Sequence, residues 1–423
     1  MTPEIKQRIE QIRRGNVPEG YQKTKDGIFP TDWHTQKMKQ WVALAERPVT
    51  LEEDKRYRLV TVRRGFGGVD LRGEYLGKDI LVKNYFRARQ GDFLISKRQI
   101  AHGACGVVPE SLDGAVVSNE YNVFVPNQGT NIEMFNLMMQ LPHYTRLFYL
   151  MSDGVHIEKL LFKTQDWVRR QLAMPPIEEQ RKIAAILTTQ DKVIELKEKQ
   201  LAGKQRQKKY LMQQLLTGKK RLPGFSGAWK NIKLCEVLSE RKEKNIEQNL
   251  RICSVAVQKG VIDQIEHLGR SYAASDTSNY SVAHYGDIIY TKSPTGDFLY
   301  GIVKQNLLQE TVAVSPLYGV FTPMTFGLGY FLHTYFQSAI CAQNYLLPIV
   351  QKGAKNTINI TNDTFISSKL YLPLDVEEQK AIADTFIAAD REIDLLRQDI
   401  EQEKQKKKAL MQLLLTGIVR VKT

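Results

Sequence analysis

The side chains that could do chemistry in this chain are basic and amide-bearing, and they gather on short loops. ISKRQIAHG, directly after a strand-like run, carries Lys97, Arg98, Gln99 and His102; NYFRARQGD carries Arg87 and Arg89; VRRGFGG carries Arg63 and Arg64. In the second half, YTKSPTGD carries Lys292, Ser293 and Thr295, with Asn279 and Tyr280 upstream. Arg, Lys, Gln and Asn can reach base edges in a DNA groove, while hydroxyl and basic groups hold phosphates. These residues are candidates for DNA contact. The alternative for any one of them is a solvated loop.

An enzyme would leave other spacings. The sequence has no GxxxxGK[ST], HExxH, GxSxG, NPPY or DPPY. RGFGGVD (Arg64–Asp70) lacks the spacing of a dinucleotide loop and reads as a turn. The seven histidines are scattered, and His102 has no evident metal partner. Cys105, Cys235, Cys253 and Cys341 form no CxxC pair, so reduced thiols are expected, with neither a disulfide framework nor a zinc site. Glu178 and Glu179 are not a carboxylate dyad, because neighbours on a helix point about 100° apart. Two readings stay open for Glu178, Glu179 and Gln180 and for Glu377, Glu378 and Gln379. Acidic residues in a first turn, here after Pro175 and Pro176, complement the helix dipole; the same groups could meet a partner protein.

The elements that must position the loops come in duplicate. EEQRKIAAIL…LMQQLLTGKKR (178–221) recurs, ungapped, 199 residues later as EEQKAIADTF…LMQLLLTGIVR (377–420), with Asp191 answered by Asp390. Ile194, Leu201 and Leu215 extend a stripe from Leu187 with a seven-residue period, as Ile393, Ile400 and Leu414 do from Phe386, and Lys208 and Lys407 interrupt both stripes at one place. Each copy predicts a helix of roughly 60 Å, stopped by Gly218 or Gly417. No rod that narrow buries its own stripe, so the two are expected to pack together. The clusters KQRQKK (204–209) and KQKKK (404–408) read as a solvated face and dipole complement in preference to DNA contact.

The globular parts repeat as well. FSGAW (225–229) answers FPTDW (29–33), GDIIYTK from Gly286 answers GDFLISK from Gly91, and AVSPLYGVFTP answers VVSNEYNVFVP, while the residues between these frameworks differ. Short apolar runs among Gly, Pro and Asn indicate an α+β globule in each half, with Met134–Ser152 as the best helix of the first. The expected division is 1–20, an N-terminal helix and turn; 21–171, a first globule; 172–221, a central helix; 222–371, a second globule; and 372–423, a C-terminal helix. Two readings stay open for the N-terminal helix: it stands in for the helix that the first globule otherwise lacks ahead of it, or it is a frayed terminal helix. A net charge of +14, spread along the chain, favours a polyanionic partner. There is neither a signal-peptide core nor an apolar run long enough for a bilayer, so a cytoplasmic protein without membrane contact is expected.

In this order and spacing, the paired EEQ starts, the LLTG ends and the FPTDW/FSGAW openings resemble the specificity subunits of type I restriction–modification systems along essentially the whole chain. The resemblance implies two target recognition domains joined by two long antiparallel coiled-coil helices with pseudo-two-fold symmetry. It implies a chain with no catalytic centre that reads one half of a split double-stranded DNA target with each domain, the helices setting the gap. It further implies two methyltransferase subunits as partners, contacted largely through the two long helices, and restriction subunits in the full complex. S-adenosylmethionine, ATP and Mg would belong to those partners and none to this chain. The alternative is a DNA methyltransferase or restriction enzyme with an unrecognised site.

Overall fold

The computed structural model describes residues 2–25, 27–81, 84–154, 156, 160–270, 273–352 and 358–421. Packing divides the chain into unit 1, Met1–Lys197 with Asp399–Thr423, and unit 2, Glu198–Gln398.

In unit 1, α1 (Pro3–Arg13) is capped by Thr2 and followed by Gly15 at φ 77°. The short apolar runs then form β1 (Val42–Leu44), β2 (Arg56–Val62), β3 (Val69–Leu76), β4 (Tyr85–Arg87), β5 (Phe93–Ser96), β6 (Cys105–Val107), β7 (Val116–Ser118) and β8 (Tyr121–Pro126). One sheet has the order β6-β5-β8-β1; the other has Pro48–Val49, then β4-β7-β2-β3, with β7 and β2 parallel and the other pairs antiparallel. All four residues of β5 are buried, which is why FLIS reads as a continuous apolar run and does not alternate. Helices α2 (Ile132–Met139) and α3 (Pro142–Leu150) follow. They replace the single helix expected over Met134–Ser152. Pro142 disfavours helical backbone at the residue before it, and Leu141 is extended (φ −67°, ψ 143°).

The long helix α4 (Ile177–Leu215) leaves unit 1 and ends in unit 2. Unit 2 repeats the scheme with β9 (Leu238–Glu240), β10 (Ile252–Ala256), β11 (Gly260–Asp263), β12 (Ser281–Ala283), β13 (Ile288–Tyr290), β14 (Val303–Gln305), β15 (Val312–Val314) and β16 (Gly319–Pro323), then α5 (Phe326–Tyr335) and α6 (Ala339–Leu346). Its sheets run β14-β13-β16-β9 and β12-β15-β10-β11, again with one parallel pair, β15 and β10. Adding eight to each strand number of unit 1 reproduces unit 2. A short antiparallel pair brackets each globule, His34–Lys37 with Gln171–Met174 and Lys230–Lys233 with Lys369–Leu372.

The second long helix, α7 (Val376–Leu414), starts in unit 2 and ends in unit 1. Within each unit the helix segments lie antiparallel. In unit 1, Gln190 Nε2 donates to Glu403 at 2.6 Å and Lys197 meets Asp399 at 2.5 Å; in unit 2, Lys204 meets Glu392 at 2.7 Å and Lys208 meets Asp390 at 2.5 Å. Each step forward along α4 is a step back along α7. Ile194, Ile393 and Ile400 are buried in this seam and belong to neither globule's apolar cluster.

The ends of the helices complete the globular cores. Ile183, Ala184 and Leu187, from the start of α4, and Leu414 and Leu415, at the end of α7, join Phe93, Phe124, Phe135 and Trp167 in unit 1. Ile382, Ala383 and Phe386, from the start of α7, and Leu215 and Leu216, at the end of α4, do the same around Tyr290 and Phe365, whose rings stack at 4.4 Å. The glycine stops are confirmed at φ 68° (Gly218) and 70° (Gly417), and they allow close contact. A Cβ on Gly417 would lie 2.6 Å from Pro30 and 3.2 Å from Trp33, and one on Gly218 would lie 3.3 Å from Trp229. FPTDW and FSGAW are therefore receptors for helix ends. This corrects the first of the two readings of the N-terminal helix. The place ahead of the first globule is filled by α7, and α1, which buries no residue, rests outside it with Arg8 donating to the Ile418 carbonyl at 2.6 Å.

Candidate nucleic-acid interface

In unit 1, the β2–β3 turn and the β5–β6 loop are locked side by side. Gly65 N–H donates to the His102 carbonyl at 2.7 Å and Phe66 N–H to that of Gly103 at 2.9 Å. Phe66 takes φ 59°, and a Cβ on Gly103 (φ 73°) would lie 2.9 Å from its ring. RGFGGVD is thus a turn, and it carries Arg63, paired with Asp70, and the exposed Arg64. The partner loop carries Lys97, whose Nζ donates to the Asn119 carbonyl at 2.5 Å, and Arg98, paired with Glu120 at 2.7 Å; Gln99 and His102 are half-buried. The sheet direction brings these six residues to one end of the sheets. Arg87 and Arg89 are exposed but lie at the other end, before β5 and beside Val116, so strand polarity separates them from the group.

The matching β13–β14 loop of unit 2 is longer, twelve residues (291–302) against eight (97–104). Its base is held by Ile302 N–H on the Thr291 hydroxyl (3.1 Å) and by the Tyr290 hydroxyl on the Tyr300 carbonyl (2.6 Å). Lys292 is half-buried at φ 59°, and Ser293 and Thr295 are exposed, Thr295 pairing with Phe298 in a tight turn. Asn279 (exposed) and Tyr280 (half-buried) precede β12. The registers Ser281↔Val314 and Tyr290↔Gly319 place both segments beside the turn 315–318.

The acids of the two EEQ motifs stand in the first turns of α4 and α7, as the dipole reading has them, and two side chains of each motif are bonded internally as well. Glu179 and Glu378 are each 1% exposed and are gripped by Arg420 and Arg221 respectively, residues that end the two copies of the repeat. Gln180 accepts from Asn131 N–H (2.8 Å), and Gln379 accepts from the Thr325 hydroxyl (2.6 Å), both at helix N-caps. These four side chains are internal clamps, buried away from any partner, because each helix must be bonded to the globule that precedes it. Glu178, paired with Arg181, and Glu377 are the exposed members.

A family model described as the type I restriction modification DNA specificity domain matches residues 228–405. Over 432 aligned residues the chain is 23% identical to a protein of Methanocaldococcus jannaschii assigned as the specificity subunit of type I restriction enzyme MjaX, covering 96% of this chain and 98% of that one. The chain is thus similar, over nearly its whole length, to type I restriction–modification specificity subunits. It is also 25% identical over 295 residues to the MjaVIII specificity subunit of the same organism; that match takes in 63% of this chain and 65%, slightly under two thirds, of the relative. The fold is similar to the crystal structure of a type I restriction–modification S subunit from M. genitalium, with a TM-score of 0.56 at 10% identity over 93% of this chain and 97% of that one.

The helical lysines do more than face solvent. Lys208 and Lys407, the interruptions of the two stripes, pair with Asp390 (2.5 Å) and Asp191 (2.6 Å), the acids shared by both copies. Arg206 and Lys209 remain exposed. Among the described residues no group of three or more His, Cys, Asp or Glu is placed to hold a metal ion, and no helix is long and apolar enough to cross a membrane. The four cysteines are unpaired, and burial raises the Cys253 thiol pKa to about 11. Sequence reasoning missed the clamp arginines, although Arg221 and Arg420 stand at one offset with Glu378 and Glu179 reversed. It also missed Lys304, a lone lysine in a strand.

Proposed function

We propose that each globule reads one half of a split double-stranded DNA target through the major groove, and that α4 and α7 set the number of unspecified base pairs between the halves. The chain would position two methyltransferase subunits, and restriction subunits in the complete complex, in the cytoplasm. In this reading S-adenosylmethionine, ATP and Mg serve those partners. The observation that carries the proposal is the pairing of one strand framework with two different loop sets, 97–104 and 291–302. Identical scaffolds with divergent tips suit two recognition tasks, and two modest affinities joined rigidly exceed either one. Arg63, Arg64, Lys97, Arg98, Gln99 and His102 would serve one half-site, and Asn279, Tyr280, Lys292, Ser293 and Thr295 the other. Arg87 and Arg89 are left to more distant phosphates, and Glu178 and Glu377 to partner contact.

The test is to select bound fragments from a random DNA pool with the assembled methylating complex, before and after replacing residues 97–102 with another loop. Two motifs at a fixed gap are expected, and the replacement should alter one of them. If both motifs change, or only one motif is ever selected, the proposal fails. The enzymatic alternative predicts S-adenosylmethionine binding by the isolated chain, which calorimetry would detect.

A further inference from the structure

Unit 2 carries an open cavity of about 1340 Å³, larger than most small-molecule sites. On its wall is Lys304 of β14, 5% exposed, which makes no hydrogen bond or ion pair among the described residues. The nearest acid cannot neutralise it. Asp390 gives one oxygen to Lys208 (2.5 Å) and the other to the Tyr330 hydroxyl (2.9 Å). Lys208 is held further by Gln337 (2.9 Å), whose amide touches His333 Nε2 at 2.9 Å, while His333 Nδ1 accepts from Gln305 N–H. The acid near Lys304 is thus committed elsewhere, the Oε1 of the adjacent Gln305 is buried with no hydrogen-bond partner, and a largely buried ammonium without a counter-charge is costly.

The framework does not require that lysine. The registers Ile289↔Lys304 and Leu94↔Gly106 show that the same position in unit 1 is Gly106, where a Cβ would already lie 3.0 Å from Gly68. Counting from the matched N-caps Thr325 and Asn131, the place of His333 is taken in unit 1 by the fully buried Met139. One copy fills this space with backbone and an apolar side chain; the other keeps it open and lines it with charge. Among the other charges on the wall, Arg397 is paired with Asp394 (3.0 Å), Lys209, Lys219 and Lys259 add positive charge, and Asp297 opposes them.

We propose that this cavity is a binding site for a phosphate group, with Lys304 as its charged contact and Thr295, on the loop assigned to DNA reading, as a hydroxyl on the same lining. Burial, reinforced by Lys208 and opposed by Asp390, lowers the Lys304 pKa to about 8, so an arriving anion would find an ammonium that water solvates poorly. The phosphate could come from the backbone of a bound DNA strand or from a free nucleotide. The proposal goes beyond the bipartite reading and fails separately from it, since it concerns phosphate whatever the base sequence.

The experiment uses the full chain, pyrophosphate and a random-sequence 20-base-pair duplex as probes, and calorimetry as readout. Lys304→Met should weaken binding at least tenfold with an unchanged or higher melting temperature, while Lys230→Met, on an exposed strand, should not. Lys304→Gln serves if the methionine variant does not fold. Weaker duplex binding, with a salt slope reduced by about one, assigns the site to backbone phosphate; weaker pyrophosphate binding alone assigns it to a free nucleotide. Unchanged affinity for both probes, or no binding of either by the unaltered chain, overturns the proposal.

Discussion

Replacing Glu378 with Gln should destabilise unit 2 severely, although it changes neither side-chain size nor the apolar core. The carboxylate is 1% exposed, and Arg221 Nε and Nη2 each donate to one of its oxygens. The Trp229 indole N–H adds a bond of 3.1 Å. Removing one member of such a pair leaves the other charge stranded, at a cost of about 3–5 kcal/mol when both are buried. Arg221 is 24% exposed and can recover some hydration, so the lower end, about 3 kcal/mol, is expected. The exposed neighbour in Glu377→Gln should stay within about 0.5 kcal/mol. Replacing the pair together, Arg221→Met with Glu378→Leu, should restore most of the loss. The four tryptophans allow a unit-resolved assay, because Trp229 is in unit 2 and Trp33, Trp41 and Trp167 are in unit 1. With 5-fluorotryptophan, a urea titration followed by fluorine NMR should show the Trp229 resonance shifting its midpoint down by about 1–3 M. If Glu378→Gln moves it no further than Glu377→Gln does, the clamp is not what joins helix to globule.

Other outcomes follow from the same geometry. Arg420 holds the Asp32 carboxyl below the usual carboxylate range, chiefly by hydrogen bonding. That stability is present above the ordinary value near 3.9 and is lost as pH falls through the depressed one. Asp32→Asn should therefore cost about 0.5–1 kcal/mol at neutral pH, with its melting curve converging on that of the unaltered chain as the pH falls below the ordinary carboxylate range; an offset that stays constant throughout the acid range would contradict the pairing. Arg98→Ala should weaken binding to selected DNA and change the preference in one half-site, by about 1–3 kcal/mol if a base edge is read; a uniform loss across sequences would mark a phosphate contact instead. Deleting residues 196–202 and 395–401 together removes the Lys197–Asp399 pair but keeps the heptad phase and the pairs Lys208–Asp390 and Lys407–Asp191, while shortening each helix by about 10 Å, or roughly three base pairs of duplex. The selected gap should contract by that amount, and an unchanged gap would refute the ruler.

Periodicity made the helices legible, and duplication made the strand framework legible, because both are local patterns repeated at a constant offset. What closes the cores was not legible. Leu414 and Leu415 carry no mark saying that they belong with Phe93, more than three hundred residues earlier. Glu179 looked like a helix-dipole residue because its partner, Arg420, lies 241 residues away. Arg87 and Arg89 stood close to Lys97 in the sequence, yet a single strand passing between them sends the two groups to opposite ends. Lys304 could not be singled out, since a lysine in VKQN has no spacing that separates a buried charge from a surface one.

The interleaving of unit 1 from Met1–Lys197 and Asp399–Thr423 has a consequence for biosynthesis. Unit 2 is contiguous and can close as soon as it has been translated. The earlier globule must wait for a segment made some two hundred residues later, about 10–40 s at ordinary elongation rates. During that interval Trp33 lacks its cover, and the first half of the nascent chain is the part exposed to chaperones and proteases, reversing the usual order in which a ribosome delivers finished domains.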